Sequence, residues 1–228
     1  MHLVVINGSP RIEKRSNTAK IIKAFLRGFE KDGNTSEVWH LSDREQWKGA
    51  MTAYYDNEYI LFAFPLYIEN LPGILIEFME KMNMPDDIIA VDTEMQQKKK
   101  IAFLVQGGFA ESSQLRCCEA YLEKLPSYLG AEYKGTLLKG DMFGASFVPE
   151  ETGEKMVSIF EEMGAEFAGK QMFEKERVSE FAKPEYFSKG FIIFFNVVMR
   201  KIQKALFKKI SKGLGCTEPL DKKIYDVT

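Results

Sequence analysis

Five residues near the start of the chain, Ser9, Arg11, Ser16, Asn17 and Thr18, have types and spacing that suit an anion. They lie in LVVINGSPRIEKRSNTA, the run from Leu3 to Ala19. The apolar stretch Leu3–Ile6 breaks at Asn7-Gly8-Ser9-Pro10, and a helix start is signalled at Ser16-Asn17-Thr18. The first N–H groups of a helix have no intrahelical partner and carry the positive end of its dipole. A strand that opens through a hydroxyl-rich loop into a helix N-terminus is therefore a phosphate-binding arrangement. No G-x-G-x-x-G follows this strand to admit a pyrophosphate, and no G-x-x-x-x-G-K-[ST] is present there. A loop that wraps a terminal phosphate suits a mononucleotide, and FMN is the leading candidate. The same hydroxyls and amide cap the helix, so capping and anion binding coincide in one set of groups. Arg11 can pair with the phosphate, reach a nicotinamide or turn to solvent. The plain alternative for the whole segment is a polar turn with a good N-cap.

Such a loop needs a strand to deliver it and neighbours to close it. Leu3–Ile6, Glu37–Leu41, Tyr59–Phe64, Ile101–Val105 and Glu132–Leu138 read as five strands, the third apolar throughout. Helical spacing falls between them. Helices are expected over Thr18–Glu30 with Gly33 closing it, weakly over Arg44–Ala53, over Leu71–Met82 with Pro72 in its first turn, from Ser113 through Leu125, and over Glu150–Ala168. This alternation predicts an α/β fold: a flavodoxin-like, doubly wound, five-stranded parallel sheet with helices on both faces, plus a C-terminal helical extension. The division expected is a 1–172 domain followed by a 173–228 extension.

In such sheets a ligand sits outside the carboxyl ends of the strands, where the strand order switches. The loops after strands three and four then become part of the site. The first is Pro65-Leu66-Tyr67-Ile68-Glu69-Asn70-Leu71-Pro72 and the second Gln106-Gly107-Gly108-Phe109-Ala110-Glu111-Ser112. Tyr67 and Phe109 can each cover an isoalloxazine ring, and Gly107 and Gly108 allow backbone to approach something flat. Pro65, Leu66, Tyr67, Ile68, Asn70, Gln106, Gly107, Gly108 and Phe109 thus join the five loop residues as candidate FMN contacts. Asn70 also reads as the N-cap of the third helix, while Glu69 and Glu111 read as solvated.

Other chemistries find little support. His2 and His40 have no cysteine or carboxylate spacing that makes a metal site, and there is no G-x-S-x-G elbow. Gly164–Lys170 matches most of a nucleotide-binding pattern, but no strand precedes it and Gln171 stands where Ser or Thr would hold magnesium. Cys118 shares an apolar stripe with Leu115 and Leu122, so it reads as a core thiol. Three cysteines, an odd number, form no disulfide framework and suit a reducing cytoplasm. A net charge of −2 offers no field for nucleic acid.

GSPR with SNT (Gly8–Arg11, Ser16–Thr18), FPLYIENLP (Phe64–Pro72) and QGGFAES (Gln106–Ser112) together resemble the NAD(P)H-dependent FMN reductase branch of the flavodoxin-like superfamily. The resemblance runs from Met1 to about Lys170. It implies a homodimer, bound FMN, and a hydride passed from NAD(P)H through flavin N5 to a small-molecule acceptor such as a flavin or quinone. No side chain is then a catalytic residue in its own right, because the flavin carries the chemistry. Iron–sulfur relatives carry a cysteine cluster between strands two and three, and Ser42–Glu58 has no cysteine. The alternative function on the same fold is a flavodoxin-type electron carrier, or a flavin-binding sensor, without nicotinamide turnover.

The tail differs in character. From Lys183 to Thr228 ten basic residues face four acidic ones, so this segment carries +6 and the remainder −8. Phe191–Phe195 is apolar all round, and Phe195, Val198, Ile202, Leu206 and Ile210 continue a stripe opposite lysines. Such a stripe most commonly covers its own domain or a dimer partner. The alternative is peripheral contact of residues 190–212 with an anionic membrane surface.

Overall fold

The structure is a computed structural model that describes residues 1–83, 99–217 and 219. Five strands, β1 (His2–Asn7), β2 (Thr35–His40), β3 (Tyr59–Pro65), β4 (Lys100–Gln106) and β5 (Glu132–Lys139), form one all-parallel sheet in the order β2-β1-β3-β4-β5. Val5 lies opposite Val38 on one side and Leu61 on the other, which fixes β1 centrally. The helices are α1 (Asn17–Phe29), α2 (Trp47–Asp56), α3 (Gly73–Asn83), α4 (Glu119–Tyr128), α5 (Glu150–Val157), α6 (Ile159–Lys170), α7 (Lys175–Ala182), α8 (Lys189–Val198) and α9 (Arg200–Gly213). Among the described residues no helix is long and apolar enough to cross a membrane.

Strand alternation divides the core into two layers. Val4, Ile6, Ile60, Phe62, Phe64, Ile101, Phe103 and Val105 face α2, α3 and α4. Leu3, Val5, Leu61, Ala63, Ala102 and Leu104 face α1 and α6. The first face supplies its own aromatic bulk. On the second face the small strand residues leave room for Phe25, Phe29, Phe160 and Phe167 from the helices. There α1 and α6 cross so closely that a Cβ on Gly28 would stand 1.7 Å from the Glu161 carbonyl oxygen, and one on Gly164 1.9 Å from that of Phe25. Gly164 thus serves packing inside α6, consistent with rejecting a nucleotide motif there.

Several boundaries differ from expectation. The helix expected over 150–168 is divided at Ser158 into α5 and α6, with Ser158 itself at helical φ −60° and ψ −25°. The segment from Ser112 to Cys118 is a 3₁₀ turn before α4, tight enough to bring Leu115 and Cys118 inward at i and i+3. Cys118 is a buried core thiol whose pKa burial pushes up to about 12. The third helix starts at Gly73, because the Pro72 carbonyl accepts from Leu75 N (2.9 Å) and Ile76 N (3.2 Å). Asn70 is therefore not its N-cap; the Asn70 Oδ1 accepts from Leu71 N (2.8 Å) instead.

The first compact unit extends to Tyr186, and a second comprises Phe187–Thr228. Residues 173–186, expected in the extension because the family resemblance ends near Lys170, belong to the first unit for physical reasons. Phe173 is buried against Phe25 and Phe167, with ring centroids at 6.0 and 4.7 Å, and Val178 and Ala182 are also buried. The Lys139 ammonium then donates to the Phe181 carbonyl (2.8 Å), and Ser112 N donates to the Pro184 carbonyl (2.9 Å). Arg116 Nε donates to both Glu185 carboxylate oxygens, at 2.8 and 2.9 Å, and this holds the Glu185 carboxyl below the ordinary value of 4.5. In the second unit α8 is capped by Ser188, and Phe187, Phe191 and Phe195 form a ladder with centroids 4.7 and 5.8 Å apart. Glu218, Asp221, Lys222, Lys223 and Asp226 of the tail lie outside the described residues.

Two measurements check this packing. Gly164→Ala, which drives a methyl into backbone, lowers stability by about 1–3 kcal/mol, whereas Gly169→Ala in the same helix, with nothing within 4 Å, leaves it equal or higher in denaturant titration. Because the Glu185 pKa is depressed in the fold, its contribution is present above pH 4.5 and lost as pH falls through the folded value. Glu185→Gln therefore lowers the melting temperature near neutral pH and flattens its acid limb.

Candidate functional site

The carboxyl ends of β1, β3 and β4 open on one cleft of about 100 Å³. Ser9, Arg11, Asn17, Thr18, Pro65, Leu66, Tyr67, Gln106, Gly107 and Gly108 line it, joined by Phe143. The first ten are residues singled out from the sequence. Ser16, Ile68, Asn70 and Phe109 are the four candidates that do not line it.

The β1 loop is shaped by its own polar groups. Asn7 is clamped at both ends: its Oδ1 accepts from Ser9 N (3.0 Å) and its Nδ2 donates to His40 Nδ1 (3.0 Å). Ser9 Oγ then accepts from Arg11 N (3.3 Å), turning the chain toward α1. Ser16 is the N-cap, its hydroxyl accepting from Ala19 N (3.2 Å), which explains why it supports the cleft from behind. Burial pulls the His40 pKa below its ordinary value, and its Nδ1 acts as an acceptor toward Asn7, both in keeping with a neutral ring.

The other walls are tied to α1. Gln106 Nε2 donates to Thr18 Oγ1 (3.2 Å), and Asn17 Nδ2 donates to the Met142 carbonyl (2.7 Å). Leu66 N donates to the Gln106 carbonyl (2.8 Å), and Gly107 exchanges backbone bonds with Lys139 (3.0 Å) and Met142 (2.9 Å). A Cβ at Gly107 would stand 2.4 Å from Leu115 Cδ2, so the Leu115 side chain packs directly against this glycine. Phe143 enters because the loop after β5 also lies at the carboxyl edge of the sheet. The strand-end rule used for the other loops applies to this one too and could have found it.

Beyond the cleft the β3 loop makes a tight turn. Tyr67 and Asn70 pair through N–H···O bonds of 3.3 and 3.2 Å, with Ile68 at φ 47° and Glu69 at φ 65°. Two consecutive left-handed residues define a turn that Asn-Gly fills readily and a β-branched residue does not. Ile68 is 99 % exposed, so no packing among the described residues compensates for its conformation. Phe109 is 70 % exposed and points away from the lining, while its carbonyl accepts from Asp141 N (2.9 Å).

Electrostatically the cleft favours an anion. Among the described residues Arg11 is the one charged side chain that lines it, and the first turn of α1 opens toward it through Asn17 and Thr18.

No protein-family model and no curated protein matches this chain. Solved structures do. The chain is similar to general stress protein 14 from Treponema denticola in complex with FMN, at TM-score 0.54 and 14 % identity over 74 % of this chain and 98 % of that one. It is similar to the Trp repressor binding protein from Bacillus subtilis, at TM-score 0.52 and 16 % identity over 68 % and 98 %. An NADH:FMN oxidoreductase in its apo form matches at TM-score 0.52 and 15 % identity over 77 % and 92 %. Together with the strand order, these likenesses show the flavodoxin-like fold.

Placing Asn at 68 and Gly at 69 gives the turn the residues its geometry prefers. The double variant I68N/E69G is expected to melt about 2–4 °C higher, as relief of about 1 kcal/mol implies in a protein of this size. An unchanged or lower melting temperature would show that the turn is not strained.

Proposed function

We propose that the cleft binds FMN and that the chain is an NAD(P)H-dependent flavin oxidoreductase acting on a small acceptor such as a flavin or quinone. The observation that carries this reading is the convergence of three strand-end loops and the α1 N-terminus on a cleft whose one charged wall residue, among the described residues, is a cation. The likeness to a structure holding FMN and to an NADH:FMN oxidoreductase supports it.

The residues fit the group. The enclosed 100 Å³ is well below the roughly 300–1,000 Å³ of a pocket that swallows a drug-sized molecule. It suits a phosphate and its polyol, leaving a ring system against the open side. Arg11, Ser9, Thr18 and the first-turn N–H groups of α1 would hold the phosphate. Tyr67, Phe143 and the backbone at Gly107-Gly108 would border the ring. Bound FMN supplies hydride acceptance from a nicotinamide and reduction of the acceptor. The protein orients and selects. Among the described residues no lining side chain is of a type that changes charge between pH 6 and 8, so the chain's own part is to bind and orient.

A homodimer and a cytoplasmic setting belong to the same reading. Ile68, Phe109, Phe143 and Phe147 are exposed apolar side chains on the loops around the cleft, a surface a second copy would cover. Cys117 and Cys118 are free thiols, which suits reducing surroundings.

Titration of FMN fluorescence tests the site. Wild-type protein is expected to quench it saturably. Arg11→Ala is expected to weaken binding about tenfold and Thr18→Ala several-fold, for loss of one charge-assisted and one neutral hydrogen bond. Absence of quenching would overturn the reading. With nicotinamide and quinone saturating, kcat is expected to vary less than about threefold from pH 6 to 8; a steeper limb that disappears in His40→Gln would make His40 an acid or base in turnover.

A further inference from the structure

The second unit presents a surface with two unusual properties. From Phe187 to Thr217 the sequence holds seven Lys or Arg residues and no Asp or Glu. In α8 and α9 the large apolar residues Phe191, Ile193, Phe194, Val197, Ile202 and Leu206 are 42–75 % exposed. In α8 they occur at nearly every position, so the helix is apolar all round. In α9 they are segregated: Ile202, Leu206 and Ile210 recur every four residues along one side. Lys204, Lys208 and Lys212 recur in the same way along the other, about 160° round the helix at 100° per residue.

We infer that α8 and α9 dock on an anionic lipid surface, with α8 sunk among the acyl chains at the boundary and α9 lying in the plane of the headgroups. Geometry excludes spanning: ten residues of helix are about 15 Å long, half of a hydrocarbon core of about 30 Å. Charge and shape select lipid over the other occupants. Self-pairing of this segment between two copies would bring seven like charges against seven, with no carboxylate between Phe187 and Thr217 of either to answer them. Nucleic acid would answer the lysines and leave the phenylalanines in water. One flat protein face would cover about half of α8, because its apolar residues lie all round the helix. A bilayer interface answers both features at once, surrounding α8 with acyl chain and meeting the lysines with phosphate and carboxylate headgroups.

Flotation of the full-length protein with phosphatidylcholine vesicles, with and without phosphatidylserine, tests this. Every changed side chain is exposed, and an unchanged melting transition will certify the folded first unit of each variant. Wild type is expected to float with the serine-containing vesicles and far less with phosphatidylcholine alone. K204E/K208E/K212E is expected to lower partitioning about 100-fold or more, as three basic groups near an anionic surface imply. I193E/F194E, which keeps every lysine, is expected to lower it at least about tenfold. Failure of wild type to float, or flotation unaffected by the lysine reversals, overturns the proposal. So does light scattering that shows a dimer dissociated by I193E/F194E in protein that ignores vesicles, since the face would then be a protein interface.

Discussion

Everything at the carboxyl edge of this sheet depends on β1 lying between β2 and β3 while the helices that follow β1 and β3 cover opposite faces. Parallel strands require right-handed crossovers, so a chain that turns to one side after β1 and to the other after β3 must leave a gap where the two paths diverge. Neither helix can close that gap. The ends of β1, β3 and β4 and the first turn of α1 are therefore left facing it. A polar, glycine-containing set of loops there is affordable only because the strands that deliver them are buried on both faces.

Rigidity of the cleft is built from outside it. The near contact of Gly28 and Gly164 sets how close α1 comes to α6, and so where the α1 N-terminus points. Bonds from Gln106 to Thr18 and from Asn17 to the Met142 carbonyl bind that N-terminus to the loops after β4 and β5. Farther out, the segment ending at Glu185 bonds to Ser112 and Arg116 and braces the far end of the β4 loop. The Asn7 clamp does the same for β1. The β3 turn with Ile68 and Glu69 is the exception, held in a conformation its residues resist and projecting an apolar side chain into solvent. Strain without internal compensation is common where a segment is shaped for a ligand or partner.

How much of this can be read from sequence follows from which features have a period. Strands and helices have one, and the alternation of apolar runs led to the five-stranded parallel sheet. The start of α1 was legible because Ser16 is a residue type that caps a helix, and it does so here. Side-chain direction in loops has no period: Ile68 and Phe109 belong to the right loops yet point outward, and Asn70 closes a turn instead of capping a helix. Residues 173–186 fall beyond the end of the family resemblance, and the burial of Phe173 and the Arg116–Glu185 pair help bind them to the first unit. The division at Ser158 leaves no mark in the apolar pattern, which runs on through Phe160, Met163 and Phe167.

The central claim is that this cleft holds a flavin that a nicotinamide can reduce. It is tested most directly by the visible spectrum of the purified protein reconstituted with FMN, recorded anaerobically before and after NADPH or NADH. Bleaching of the bound flavin bands by either nucleotide is the predicted result. Bands that persist until a protein reductant is supplied would contradict it and make the chain an electron carrier.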